Sequence, residues 1–358
     1  MRETARRAFI AAVVVGGVVV AALALWELRL LIAILFLAFI VAAAMRPGVE
    51  GLLRYGVPRP VGILLHYAAL FALVALLLWR VVPAATTQIR EALGDVPTTR
   101  SELKTAAAES TGIKQEILAG VQRRLEELPE FETLVARTLD PALELTVRAF
   151  EIFVGIFFTL AAAAYWIYER DRAVALVTSL LPRNRRKIVR DTWNLIDLKL
   201  GAYVRGQVLL VLFVATVLSL AFWAIGLPFW LLLGAFAGVV EIIPVIGPLA
   251  AGVLAVGVGV TQSWQVALAA GLVVLFVRLL EDYLVVPRVL GDAVGLSPLT
   301  VLVAVSSVAI LFGGFAVLLA IPIAAVIATL VDVLVRHRDP SKEEVPTVIF
   351  PAKEAETR

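Results

Sequence analysis

The chain has 358 residues, of which 61% are apolar and only 17% charged, with a formal net charge of +3. A soluble domain runs about 45–50% apolar and about 25% charged, so this composition excludes a soluble enzyme, a disordered chain and a secreted disulfide scaffold. The small net charge gives a nucleic-acid partner no footing. With no Cys, and with His66 and His337 far apart, neither a metal site nor a cofactor is expected.

The charges are spaced unevenly. Thirty-nine residues between Asp292 and Asp332 carry no Asp, Glu, Lys or Arg; 35 between Arg205 and Glu241 and 36 between Glu241 and Arg278 are likewise uncharged. A run of about 18 such residues reads as a membrane helix. The expected fold is therefore all-α: a polytopic membrane protein with broken or re-entrant helices in its C-terminal half.

In chain order, span 1 covers 8–26 and span 2 covers 30–45, separated by Glu27 and Arg29. The first resembles a secretory signal, with Arg2, Arg6 and Arg7 before an apolar stretch. Its length, and the second span close behind, favour a retained helix. Span 3 covers 61–82 and completes an N-terminal membrane region, 1–82. An extramembrane helical region, 83–146, follows. In it Ile113, Ile117, Val121, Leu125 and Leu128 recur at helical spacing, Pro129 ends that helix, and Asp140-Pro141 offers a new start, Asp as N-cap and Pro in the first turn. The main membrane domain is 147–338, with span 4 at about 148–168 and span 5 at about 206–226. Between them, 169–203 is basic. There Ile188, Trp193, Ile196, Leu200 and Tyr203 fall along one side, as in a helix lying at the cytoplasmic interface. The apolar remainder is 229–260, 264–286 and 299–335, before a polar tail, 339–358.

Two of these last pieces are too long for one upright crossing of about 20 residues. Pro244, Gly247 and Pro248 mark a break in 229–260; Gly313, Gly314 and Pro322 mark another in 299–335. Whether each is a kinked span or a re-entrant hairpin stays open at this level. In lipid the freed carbonyls need protein or a wet cavity as partner, and interrupted apolar segments of this kind often line transporter binding sites.

Lys and Arg set the orientation. Arg46, Arg54 and Arg59 lie between spans 2 and 3, nine basic residues against four acidic lie in 169–205, and Arg336 and Arg338 flank the last span. All belong on the cytoplasmic side. A multi-pass plasma-membrane protein with both termini inside is expected, and 83–146 outside.

The candidate chemistry lies in a few polar groups in apolar surroundings. Glu241 is the only charged residue from 206 to 277 and precedes Pro244 by three positions. A carboxylate in hydrocarbon costs about 2.5–3.5 kcal/mol or more, so it must face the protein interior, pair with a cation or bind a proton. Arg278 with Glu281 at i+3 and Asp282 at i+4 forms a second cluster on one helix face. Arg205 and Gln207, opening span 5, are pathway candidates. His66 reads as a hydrogen bonder within the bundle. Trp26, Trp79, Trp166 and Trp230, near span ends, fit an aromatic belt. There is no Gly-x-x-x-x-Gly-Lys-Ser/Thr loop and no Ser/His/Asp set, so no catalytic residue is named and ATP hydrolysis is not expected.

Three stretches, Tyr203-Val-Arg-Gly-Gln207, Glu241-Ile-Ile-Pro-Val-Ile-Gly-Pro248 and Glu281-Asp-Tyr-Leu-Val-Val-Pro-Arg-Val-Leu-Gly291, together with Leu296-Ser-Pro-Leu-Thr300, Leu311-Phe-Gly-Gly-Phe315 and Ala320-Ile-Pro322, resemble the autoinducer-2 exporter (AI-2E) family. The resemblance covers the whole chain in layout. It implies an all-helical permease of about eight spans assembling as a homo-oligomer, such as a pentamer, with quorum-sensing signal export or sodium(lithium)/proton antiport as its activity. Arg278 departs from the family pattern, which often has Gln at that position. The leading expectation is a transporter that exports a small polar solute resembling autoinducer-2. A cation/proton antiporter is the alternative, and a non-transporting membrane scaffold the alternative of another class.

Overall fold

The structure, a computed structural model, describes residues 2–93, 131–243, 246–289, 297–343 and 345. The stripe Ile113–Leu128, Pro129 and Pro244 lie outside them. The helices are α1 (Arg2–Glu27), α2 (Arg29–Arg54), α3 (Arg59–Leu93), α4 (Phe131–Ser179), α5 (Arg183–Ala224), α6 (Trp230–Val240), α7 (Ile246–Val260), α8 (Trp264–Leu280), α9 (Val286–Val289), α10 (Pro298–Phe312) and α11 (Ala320–Leu334). No strand occurs among the described residues. Five helical stretches, 29–54, 59–88, 150–179, 183–224 and 316–334, are long and apolar enough to cross a bilayer. The protein is an all-α polytopic membrane protein.

Several expected boundaries move. Between α1 and α2 the backbone does not turn: Leu28 donates to the Ala24 carbonyl at 3.0 Å and Ile32 to the Leu28 carbonyl at 2.9 Å. Glu27 and Arg29 are charged, but neither is a helix breaker, so the expected hairpin between spans 1 and 2 is replaced by one nearly continuous rod. The helix start expected at Asp140-Pro141 is also overturned, because α4 begins at Phe131 and runs through to Ser179. The expected interfacial helix 183–203 is the first half of α5, continuous with span 5. Gly201 and Gly206 weaken a helix without ending it.

The two predicted breaks are present. After Val240 the chain makes a short turn, with Ile243 donating to the Val240 carbonyl at 2.9 Å, and α7 starts at Ile246. With 11 and 15 residues, α6 and α7 are each too short for one crossing, and they pack against one another. That is a helical hairpin rather than a kinked span. Gly247 permits it: a Cβ there would lie 2.1 Å from the Val240 carbonyl oxygen. Pro248 is not a breaker but a first-turn residue of α7, where a missing N–H costs nothing. The second break lies at Gly313, whose φ of +84° L side chains rarely adopt. A 3₁₀ stretch, Gly314–Leu319, then leads into α11. Pro322 corrects in the same way as Pro248, since it occupies the first turn of α11.

The described chain divides into two compact units: 1–44, 155–201 and 294–343; and 45–154, 202–293 and 344–358. In the first, Phe39, Trp166 and Trp193 form an aromatic cluster, the two indoles stacked at 5.9 Å. Trp166 therefore belongs to packing rather than to an aromatic belt. Trp26 and Trp79 remain exposed, each with an Arg over its ring. Arg170, Asp197 and Lys199, expected among headgroup-facing charges, are buried to 6% exposure. Arg170 pairs with Asp197 at 2.7 Å and also reaches Asn194; Lys199 meets Glu343 at 2.6 Å.

In the second unit the core joins α5 to α6, α7 and α8 through Leu210, Val214, Leu218, Phe222, Ala237 and Ala255. Small residues allow close approach: a Cβ on Gly238 would strike Ala215 at 2.5 Å. Ser263 caps α8 by accepting from the Val266 N–H. His66 hydrogen-bonds the Gly62 carbonyl at 2.7 Å with its ring against Gly48, the bundle role expected of it.

Candidate functional site

The candidate site is built where α6 ends. A helix leaves its last four carbonyls without partners, and its C-terminus carries partial negative charge. Glu241 sits at this end as the α6 C-cap, so its carboxylate opposes the helix dipole. It is also only 6% exposed. Both terms count against the ion, and compensation comes from α8. Arg278, in the last turn of that helix, extends Nη1 to Glu241 Oε1 at 3.2 Å. There the cation is favoured by the α8 dipole.

The same Nη1 meets Glu281 Oε1 at 3.2 Å, and Nη2 meets Asp282 at 3.0 Å. Glu281 is 4% exposed, whereas the side chain of Asp282 is 44% exposed and that of Arg278 is 32%. The cluster thus grades from a sealed end at Glu241 and Glu281 to an open end at Asp282. The backbone helps to shape it. Beyond Leu280 the helix widens into one π turn, Glu281–Val285, closed by the Val286 N–H to the Glu281 carbonyl. Such turns are rare and often occur at functional sites. From α5, Gln207 Nε2 donates to the backbone carbonyl of Glu241 at 3.3 Å, satisfying one of the acceptors that the break exposes.

Five sequence candidates therefore meet in one place: Glu241, Arg278, Glu281, Asp282 and Gln207. Arg205 is half-buried on α5, two positions before Gln207. Gly247 and Pro248 begin the helix that packs back on α6. Gly313, Gly314 and Pro322 belong to the other compact unit. The joining of Glu241 to Arg278, 37 positions away, had no spacing signal. The buried Arg170–Asp197 and Lys199–Glu343 pairs had none either. No cluster of three or more His, Cys, Asp or Glu able to hold a metal occurs among the described residues.

Chemically, one guanidinium faces three carboxylates. If all are ionised, the cluster carries excess negative charge in a largely buried place, and such charge is held only by further partners. A sheltered charge cluster at a helix break is the arrangement by which membrane transporters hold polar solutes and ions.

A family profile described as AI-2E family transporter matches residues 15–336. The chain belongs to the AI-2E transporter family. Its relatives include three, each named "Putative transport protein". YrrI of Bacillus subtilis (strain 168) is 24% identical over 305 residues, covering 85% of this chain and 86% of the relative. YueF of the same organism is 26% identical over 287 residues, 77% of each chain. MT0215 of Mycobacterium tuberculosis (strain CDC 1551 / Oshkosh) is 26% identical over 347 residues, 93% of this chain and 91% of the relative. The family and the fold together make this AI-2E member a membrane transporter.

Proposed function

We propose that this protein is a plasma-membrane exporter of a small polar solute of the autoinducer-2 kind, working without ATP hydrolysis. The carrying observation is Glu241: a carboxylate 6% exposed, at the end of a broken apolar helix, held by an arginine from a neighbouring helix. A charge so placed is costly, and ionisable groups kept inside membrane proteins mark solute and ion pathways. A polyhydroxylated solute competes for the same donors and acceptors. It enters at Asp282 and exchanges its hydrogen bonds for those between Arg278 and the two buried glutamates. Arg278 and the carboxylates offer both donors and acceptors, so an uncharged polar solute is satisfied on every side. The solute leaves when the ion pairs re-form, which keeps the empty site neutralised as far as one cation allows.

The second reading is sodium(lithium)/proton antiport, favoured by the excess of carboxylates over cations in the cluster. The two differ in what moves. In proteoliposomes, Glu241→Gln lowers solute flux under the first reading. Under the second, an external sodium pulse drives protons out and alkalinises the lumen in the parent protein, read by a pH-sensitive dye, and Glu241→Gln abolishes that signal. Unaltered flux and unaltered pH response in Glu241→Gln reject both. The same reading puts the chain in the plasma membrane with its C-terminus cytoplasmic and, by family likeness, as a homo-oligomer.

A further inference from the structure

The first compact unit contains a cavity of about 870 Å³ that the Glu241 cluster does not use. It is walled by α2, α4, α5 and α11. Of those helices α2, α4 and α5 each contain a stretch long and apolar enough to cross a bilayer, and α11 completes one, 316–334, with the 3₁₀ residues before it. The wall is almost wholly apolar and aromatic, with Phe36, Phe39, Trp166 and Trp193 prominent in it. On α5 the lining runs from Arg185 to Ile196. Eleven residues at 1.5 Å each give about 16 Å, close to half of a hydrocarbon core about 30 Å thick.

Two cationic-type side chains interrupt this wall, Arg185 and His337, and no acidic residue lines it. Their neighbours are spoken for: Arg336 and Arg338 both pair with Asp332, and Arg186 donates to the carbonyls of Leu181 and Ser179. Arg185 has no side-chain partner among the described residues. It lies in the first turn of α5, at the positive end of the helix dipole. His337 is held at φ +52°, in the left-handed region uncommon for a non-glycine residue, just past the end of α11. Its ring lines the cavity from there.

We propose that this cavity is a binding site for one anionic phospholipid taken from the surrounding bilayer. Acyl chain fills the apolar hollow, and the phosphate is held by Arg185 and His337. The chain enters sideways past Ile32 and Leu35, which line the cavity yet are 44% and 45% exposed. Filling a hollow of this size gives its apolar walls dispersion contacts. Lipid tails supply them without a water-soluble ligand having to be found. The unpaired guanidinium in an acid-free wall selects the headgroup by charge.

Trp166 and Trp193 make the site observable. In a full-length variant whose other five tryptophans are replaced by Phe, brominated acyl chains quench only indoles they touch. In vesicles of brominated phosphatidylglycerol diluted into phosphatidylcholine, half-quenching comes at a roughly fivefold lower mole fraction than with brominated phosphatidylcholine, the preference of about one lipid-facing cation. Arg185→Gln with His337→Gln removes that preference while some quenching remains; Arg185→Lys keeps it. Ala162→Phe, which fills the cavity wall, lowers quenching by both lipids. Equal quenching by the two headgroups overturns the proposal. So does absence of quenching by either, which instead marks a hollow closed by a second copy of the chain.

Discussion

Two regions of the protein bury ion pairs, and they do so differently. In the first compact unit, Arg170 meets Asp197 at 2.7 Å on the continuous helices α4 and α5, and Asn194 takes up a further guanidinium donor. Each Arg170–Asp197 charge has an opposite, and both are 6% exposed. In the second unit, Arg278 is shared among Glu241, Glu281 and Asp282 where one helix ends and another widens. The first sets one cation against one buried carboxylate, with the exposed Asp171 beside it at 3.3 Å, on unbroken helices. The second sets one cation against two buried carboxylates and one exposed one, on backbone that has left the helical ladder. Equal chemistry in unequal settings separates a fastening from a working site: a fastening loses stability when cut, a working site loses function.

Asp197→Ala should give the largest loss of stability. It leaves the buried Arg170 with only Asn194 and the exposed Asp171 as partners, which costs about 3 kcal/mol, read as a lowered thermal midpoint in detergent, while flux per folded protein in vesicles stays near that of the parent. Gly247→Ala comes next, since the new Cβ meets the Val240 carbonyl oxygen at 2.1 Å; opening the α6–α7 hairpin to relieve that clash costs about 1–3 kcal/mol. Gly313→Ala meets no atom within 4 Å, and only its φ of +84° is at stake. The loss is about 1–2 kcal/mol by the same thermal measurement. Glu241→Gln should be the smallest, within about 1 kcal/mol, because it also removes the cost of burying the charge and the amide oxygen still accepts from Arg278. An Asp197→Ala protein as stable as its parent, or a Glu241→Gln protein that fails to fold, would erase the distinction.

Much of the helix content was legible in the charge-free runs, because hydrocarbon admits few other structures. The break at Glu241 was legible because glycine and proline fall together there. Other punctuation misled. Pro248 and Pro322 looked like breakers but occupy first turns, where a ring fits without loss. Arg205 and Gln207 looked like a boundary inside what is one helix. Glu27 and Arg29 likewise suggested a turn that charge alone does not make. At the site, the sequence pointed to the individual residues, and Arg278 with its i+3 and i+4 partners followed from helical spacing. The Arg278–Glu241 contact did not, since it depends on how α6 and α8 pack. The buried pairs of the first unit were hidden for the same reason.

The most direct test uses the absence of native cysteine. Cysteine is placed singly at position 282, at the open end of the Glu241 cluster, or at position 171, a 60% exposed aspartate beside Arg170 in the other unit. Each protein is treated in vesicles with a bulky, membrane-impermeant thiol reagent, and solute flux is measured before and after. Both thiols should react, and only modification at 282 should stop flux; a fully modified 282 protein that transports at its unmodified rate would remove the Glu241 cluster from the pathway.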